Sequence, residues 1–373
     1  MTKTRDYFVM LIGFAILAFL LILAFQLDGR KNLPGKNEID QIKASSKIDD
    51  QVKLYRKLIE RVGPLEAQEE LLKSGLPFTG ETHLLNHTAG DYIYVKYGPA
   101  GLQYCKEYFL ASCYHGFILH AIGDGGMNAV EKTFEGCLKD SPTVYVQCAH
   151  AIGHGFLANL GYKNLTDALN SCDKVAKDNL KFPSFNCYDG VFMENIWAVH
   201  DGNPSPDRWV NASDLFYPCN DNRIDKKYIL ACWSNQPSLA YQLLKGDIKK
   251  VADNVCSFVS DDKLQKMCFE GLSRQIHPIA NGSPKKTFML CSLLPGKWQD
   301  FCISVNASAS YAVGDRGVSF EVCAHIDENG KGECYNRLFS TIKAYSKDKN
   351  EMKTMCSKVL ENDWQKKCLD QAR

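Results

Sequence analysis

Six of the nine histidines fall between His83 and His154, and their spacing is the first chemical signal in the chain. His83 and His87 are four residues apart, and so are His150 and His154. On a helix, residues four apart sit one turn above each other on one face, so two imidazoles at that spacing can reach a common ion. His115 stands two residues after Cys113, His150 two after Cys148 and Asp189 two after Cys187. If successive units stack, these three side chains form one column. His120 and Glu194 also share a position, each seven residues after its cysteine. The candidate metal ligands are therefore His83, His87, His115, His120, His150 and His154. Asp189 and Glu194 are the candidate catalytic carboxylates, as ligand or general base to a metal-activated water.

A mixed imidazole and carboxylate set suits zinc, iron, copper or manganese, and the absence of a leftover cysteine argues against a thiolate site. Two other readings fit the same residues. The histidines could hydrogen-bond carbonyls in a core or line a solvated face, since the position two after the second cysteine is polar in every unit. A metal-free catalytic role is the third possibility. His115 and His120 are five apart, about 140° round a helix, so one ion is not expected to hold both. His200, His277 and His325 are isolated and read as structural.

The elements that must position these residues are set by the cysteines. All sixteen fall into one rhythm of short gaps, 8 to 15 residues, alternating with long gaps of 21 to 32. A period of roughly 32–37 residues marks a repeat array in which each unit buries its apolar face on its neighbours. Only the step from the third unit to the fourth is longer, stretched by the Asn/Pro/Ser-rich segment Asp201–Pro218. In each unit the first cysteine is expected late in a helix, a polar turn follows, and the second cysteine opens the next helix, as in Cys113-Tyr-His-Gly-Phe and Cys148-Ala-His-Ala-Ile. Pairing within each unit is the natural expectation, although spacing alone leaves pairing between neighbours open. Gly116, Gly153, Gly155, Gly190 and Gly271 fall inside expected helices, where glycine costs about 1 kcal/mol relative to alanine. Close approach of stacked helices is the expected reason, with a ligand near the backbone as the alternative.

The Cys-Tyr-His-Gly-Phe element, with His83-x-x-x-His87 before it and Cys148-Ala-His-Ala-Ile-Gly-His154-Gly after it, resembles a pattern in uncharacterised exported Cys/His-rich helical repeat proteins of microbes. The resemblance implies that these histidines form one site and carries no activity with it.

Tyr7 to Phe25 is an uncharged, mostly apolar run of 19 residues. As a helix it would rise about 28 Å, close to the thickness of bilayer hydrocarbon. No small-x-small cleavage site follows it, so an uncleaved anchor is expected rather than a signal peptide. Eight regular cysteine pairs make sense where disulfides persist, which places the N-terminus in the cytoplasm and the bulk of the chain outside. Five Asn-x-Ser/Thr sequons, at Asn86, Asn164, Asn211, Asn281 and Asn306, are compatible with export.

The helical periodicity of Ile48, Val52, Tyr55, Ile59 and Val62 predicts a helix, Pro64 opens a second ending at Gly75, and Thr79 to Tyr97 predicts a third. With 44 basic and 43 acidic residues the chain has no electrostatic footprint for nucleic acid. Neither a phosphate loop, a dinucleotide fingerprint, a Gly-x-Ser-x-Gly elbow nor a His-Glu-x-x-His motif is present.

The expected architecture is all-α: about eight disulfide-stapled helical hairpins, as an α-solenoid or α/α toroid, behind one N-terminal transmembrane helix. Residues 1–27 form the anchor, 28–47 a juxtamembrane linker and 48–373 the extracytoplasmic repeat domain. The expected function is that of a membrane-anchored protein with a His-rich transition-metal site, a metal-dependent hydrolase or oxidase. The alternative is a non-catalytic scaffold that binds a protein or glycan partner in the cell envelope.

Overall fold

The computed structural model describes residues 36–76, 79–138, 142–197, 205–346 and 348–372. Among these the regular structure is entirely helical, with no strand. They divide into two compact units, one ending at Gly75 and one beginning at Leu76. The apolar run at 7–25 lies outside the described residues, and among those described no helix is long and apolar enough to cross a membrane.

The first unit contains α1 (Lys36–Ala44), α2 (Ile48–Val62) and α3 (Pro64–Lys73). Two expectations shift here. Part of the expected linker at 28–47 is helical, because Ile39 and Ile42, one turn apart, are buried in a stretch whose overall composition is polar. Residues 48–75 group with this helix and not with the repeat domain. Tyr55, Leu58, Ile59, Ala67 and Leu71 complete the small core, and Arg61 clamps Glu38 with two hydrogen bonds of 3.0 and 2.5 Å.

The second unit is the repeat array, and all eight bridges close within their own repeats: Cys105–Cys113, Cys137–Cys148, Cys172–Cys187, Cys219–Cys232, Cys256–Cys268, Cys291–Cys302, Cys323–Cys334 and Cys356–Cys368. Its helices are α4 (Gly80–Tyr97), α5 (Tyr108–Cys137), α6 (Pro142–Leu160), α7 (Leu165–Asp178), α8 (Ser184–Trp197), α9 (Ile229–Leu243), α10 (Ile248–Asn254), α11 (Asp262–Ala280), α12 (Pro284–Cys291), α13 (Trp298–Ala312), α14 (Arg316–His325), α15 (Glu328–Tyr345), α16 (Lys349–Cys356) and α17 (Asn362–Gln371). The helices that carry the second cysteines, each a few residues inside its start, pack on one another in sequence order from α5 to α15. Several of the shorter first-cysteine segments wedge between consecutive members of that series, as α7 does between α6 and α8. The stack also curves, so that α15 of the seventh repeat meets α6 of the second.

The uniform hairpin plan holds with three exceptions. Cys105 follows a 3-10 turn, Gly98–Tyr104, Cys256 begins another, Cys256–Phe258, beyond the end of α10, and among the described residues the fourth repeat has no first helix. Cys219 sits among turns, where Trp209 stacks on Tyr217 and the Arg223 guanidinium lies 3.9 Å above the Trp209 ring. The Asn/Pro/Ser-rich composition there favours turns, and buried Trp209 supplies the apolar mass that a helix face supplies elsewhere. Two of the sequons fall in the core: Asn86 is fully buried and donates to Ser112 Oγ (3.0 Å), and buried Asn306 donates to the Ser273 carbonyl (3.0 Å).

Candidate metal centre

The helices that carry the histidines cross in pairs, each crossing built on a glycine. A Cβ on Gly116 of α5 would lie 2.0 Å from the His87 carbonyl oxygen of α4. On Gly190 of α8 it would lie 2.0 Å from the His150 carbonyl oxygen of α6, and on Gly271 of α11, 2.1 Å from that of Ser234 in α9. No side chain fits those gaps, so the backbones meet directly and the flanking residues are brought together.

Counting from these contacts, His87, His150 and Ser234 hold one slot, and Asp91, His154 and Ser238, four residues on, hold the next. Four residues after the glycine, His120, Glu194 and Gln275 hold a facing slot. The second and facing slots are joined in all three crossings. His120 Nδ1 donates to Asp91 at 2.5 Å, His154 Nδ1 to Glu194 at 2.8 Å, and Gln275 Nε2 to Ser238 Oγ at 2.6 Å. The shared position of His120 and Glu194 is thus real, but it serves helix pairing. His120 is bonded to Asp91, both side chains more than a third exposed, and it does not join the other five histidines.

His83, His87 and His115 form a group able to hold a metal ion, one ring nitrogen from each lying within 4.8 Å of the others. Their ring centroids are 4.7, 5.1 and 5.3 Å apart. His83 and His87 come from one face of α4, whose first turn is capped by Thr79 accepting from the Thr82 amide at 3.3 Å. His115 comes from α5, whose start is unusual: Phe109, Leu110 and Ala111 have φ of 53, 57 and 55°. Each left-handed residue of this kind costs roughly 1–2 kcal/mol. The distortion places the Phe109 carbonyl 2.8 Å from His83 Nδ1. A carbonyl only accepts, so Nδ1 carries the proton and Nε2 keeps its lone pair. That is how an outer partner fixes the tautomer of a metal-binding histidine.

His115 lies at the centre of the cluster. It is buried, and among the described residues its Nε2 has no hydrogen-bond partner. Burial, followed by the positive charge its four histidine neighbours can carry, pushes its pKa well below the usual imidazole value, so at neutral pH it is uncharged. A buried ring nitrogen without a partner is costly to leave bare, and in the tautomer that keeps its lone pair there a cation satisfies it.

His150 and His154 continue the cluster, with ring centroids 5.4 and 5.8 Å from that of His115. Their Nε2 atoms are 3.0 Å apart, and each Nδ1 faces a buried carboxylate: His150 to Asp189 at 3.2 Å, His154 to Glu194 at 2.8 Å. The expected column of His115, His150 and Asp189 is therefore formed, and it continues into Ser234, which donates to Asp189 at 2.9 Å. Asn235 adds a second bond to the same oxygen at 2.8 Å. Burial raises the Asp189 pKa, but the hydrogen bond from His150, the Arg274 charge and Ser234 outweigh it and hold the carboxylate well below its ordinary value. Glu194 also accepts from Tyr162 at 2.6 Å. Both carboxylates stand on the Nδ1 side of the histidines, as orienting partners.

Sequence spacing missed Asp91, Tyr162, Arg274 and the Phe109 carbonyl. Asp91 could have been found by aligning α4 and α6 on Gly90 and Gly153; the Phe109 carbonyl had no sequence signal, because nothing in Phe-Leu-Ala favours a left-handed turn. Buried His277 and exposed His325 stay outside the cluster, and His200 lies outside the described residues. A comparison with known protein families, curated proteins and solved structures found no match.

Proposed function

We propose that this is a membrane-anchored, extracytoplasmic metalloenzyme that holds a transition ion on His83, His87 and His115 and uses it in hydrolysis. The observation that carries it is the convergence of three imidazoles, one ring nitrogen from each within 4.8 Å of the others, with His115 Nε2 buried and, among the described residues, without a hydrogen-bond partner. Three histidine nitrogens with a remaining open position are a set that catalytic zinc uses, and copper shares the preference for imidazole. Because all three ligands are neutral, a bound divalent ion would keep its full charge and lower the pKa of coordinated water strongly. The chain's own residues do the rest. Phe109 locks the His83 tautomer, the glycine crossing sets the separation of α4 from α5, and burial keeps His115 unprotonated. Eight intra-repeat disulfides and the apolar run at 7–25 support the placement outside the membrane.

Elemental analysis of the purified chain after zinc loading and gel filtration tests this. The wild type should retain zinc, and His83→Gln with His87→Gln should lose one equivalent while the helical circular dichroism persists. Full retention of zinc by that variant overturns the proposal.

A further inference from the structure

We infer that His150 and His154 form a second metal site beside the first, so that the five buried or half-buried histidines hold two ions. This deepens the three-histidine proposal but stands on separate atoms. Two imidazole Nε2 atoms lie 3.0 Å apart, and each ring sets its Nδ1 against a buried carboxylate, which favours the tautomer that leaves both Nε2 lone pairs facing each other. Such a contact is repulsive unless something positive lies between the rings, either a shared proton or a metal ion. A tetrahedral ion with metal–nitrogen bonds of about 2.0–2.1 Å holds its nitrogens about 3.3 Å apart, so the rings need open only slightly.

The surroundings are those of a metal ligand pair. Carboxylate–histidine–metal chains fix ring orientation and raise ligand basicity, and here there are two such chains converging on one point. Their carboxylates are themselves held, Glu194 by Tyr162 and Asp189 by Ser234 and Asn235. Nor does helix packing require histidine at these positions. The crossing of α9 with α11 fills the same slots with Ser234, Ser238 and Gln275 and closes on its glycine equally tightly. The histidines and Glu194 are therefore an addition to a crossing that works without them. The ligand class is a borderline divalent ion, zinc or copper(II), with water or a bridging substrate atom completing its shell.

The variant that tests this copies the α9 slots into α6 and α8: His150→Ser, His154→Ser and Glu194→Gln in the full chain. Zinc-loaded wild type should carry two equivalents, the copied variant one, and His83→Gln with His87→Gln also one. A wild type with one equivalent that the copied variant retains means a shared proton between the rings; the second site then falls and the three-histidine site stands. One equivalent lost only in the copied variant means the reverse. A single equivalent lost in both variants means one ion shared by all five histidines and overturns the two-ion inference, as does a wild type without zinc, which also removes the first site. Should the copied variant fail to fold, copper(II)-loaded wild type decides: two spin-coupled ions, seen as an electron paramagnetic signal weaker than the copper content, are expected. Two magnetically isolated ions, or one, overturn it.

Discussion

Replacing Gly116 with alanine separates the packing of the site from its chemistry. The added Cβ would lie 2.0 Å from the His87 carbonyl oxygen, 2.7 Å from its carbon and 2.9 Å from His87 Cα, all backbone atoms that cannot rotate away. Contacts under 3.0 Å do not occur for real Cβ atoms, so α4 and α5 must part by about 1 Å. Overpacking of this kind costs about 1–3 kcal/mol. The displacement falls on His87 and on the neighbour of His115, and since a metal site tolerates only about 0.2 Å in its ligand distances, zinc affinity should on the proposed reading fall roughly 10- to 100-fold, the scale seen when orienting partners are lost. Gly332→Ala on α15 is the control. Nothing lies within 4 Å of its added Cβ, and helix propensity alone predicts a gain of up to about 1 kcal/mol. Urea unfolding of the metal-free protein and competition titration with a zinc chelator measure the two effects. Gly116→Ala with wild-type stability and wild-type zinc affinity would refute the account of the crossing. Lost stability with unchanged affinity would refute only its role in spacing the ligands.

Three further outcomes follow from the same structure. The metal-free protein should lose stability as pH falls below about 6.5, because the unfolded chain protonates His115 while the folded state, with that pKa depressed by burial, does not. The slope is up to about 1.4 kcal/mol per pH unit for one group, buried His277 adds to it in the same direction, and His115→Gln should flatten it in urea titrations at pH 5 to 7. Cys172→Ser with Cys187→Ser opens a bridge of sequence separation 15 and should cost about 3 kcal/mol in chemical unfolding. His120→Gln should leave zinc content unchanged and cost at most about 1 kcal/mol, since its partner is half-exposed Asp91; loss of an equivalent would place His120 among the ligands.

The frame of the array was legible because cysteine spacing is a local, countable signal, and a bridge of 8 to 15 residues between adjacent helices leaves little freedom over where each helix begins. The same counting placed His115, His150 and Asp189 in one column, and stacking kept them there. It failed where composition changed the local rule: at the fourth repeat, where turns around Trp209 replace a helix, and at residues 36–44, where two isoleucines one turn apart were hidden among charges.

Spacing paired His83 with His87 and His150 with His154, but that the two pairs meet at His115 while His120 stays apart was decided by the tertiary structure. Spacing made His120 equivalent to Glu194, and the fold honoured that equivalence, yet it set one against Asp91 near solvent and the other against His154 in the core. The left-handed turn at Phe109 and the convergence of the two Nε2 atoms likewise depend on how one helix lies across another. Distances along the chain fix which residues share a helix face; the crossing angle and depth that bring faces together come from glycine contacts between helices remote in sequence, and no count along a single strand of letters contains them.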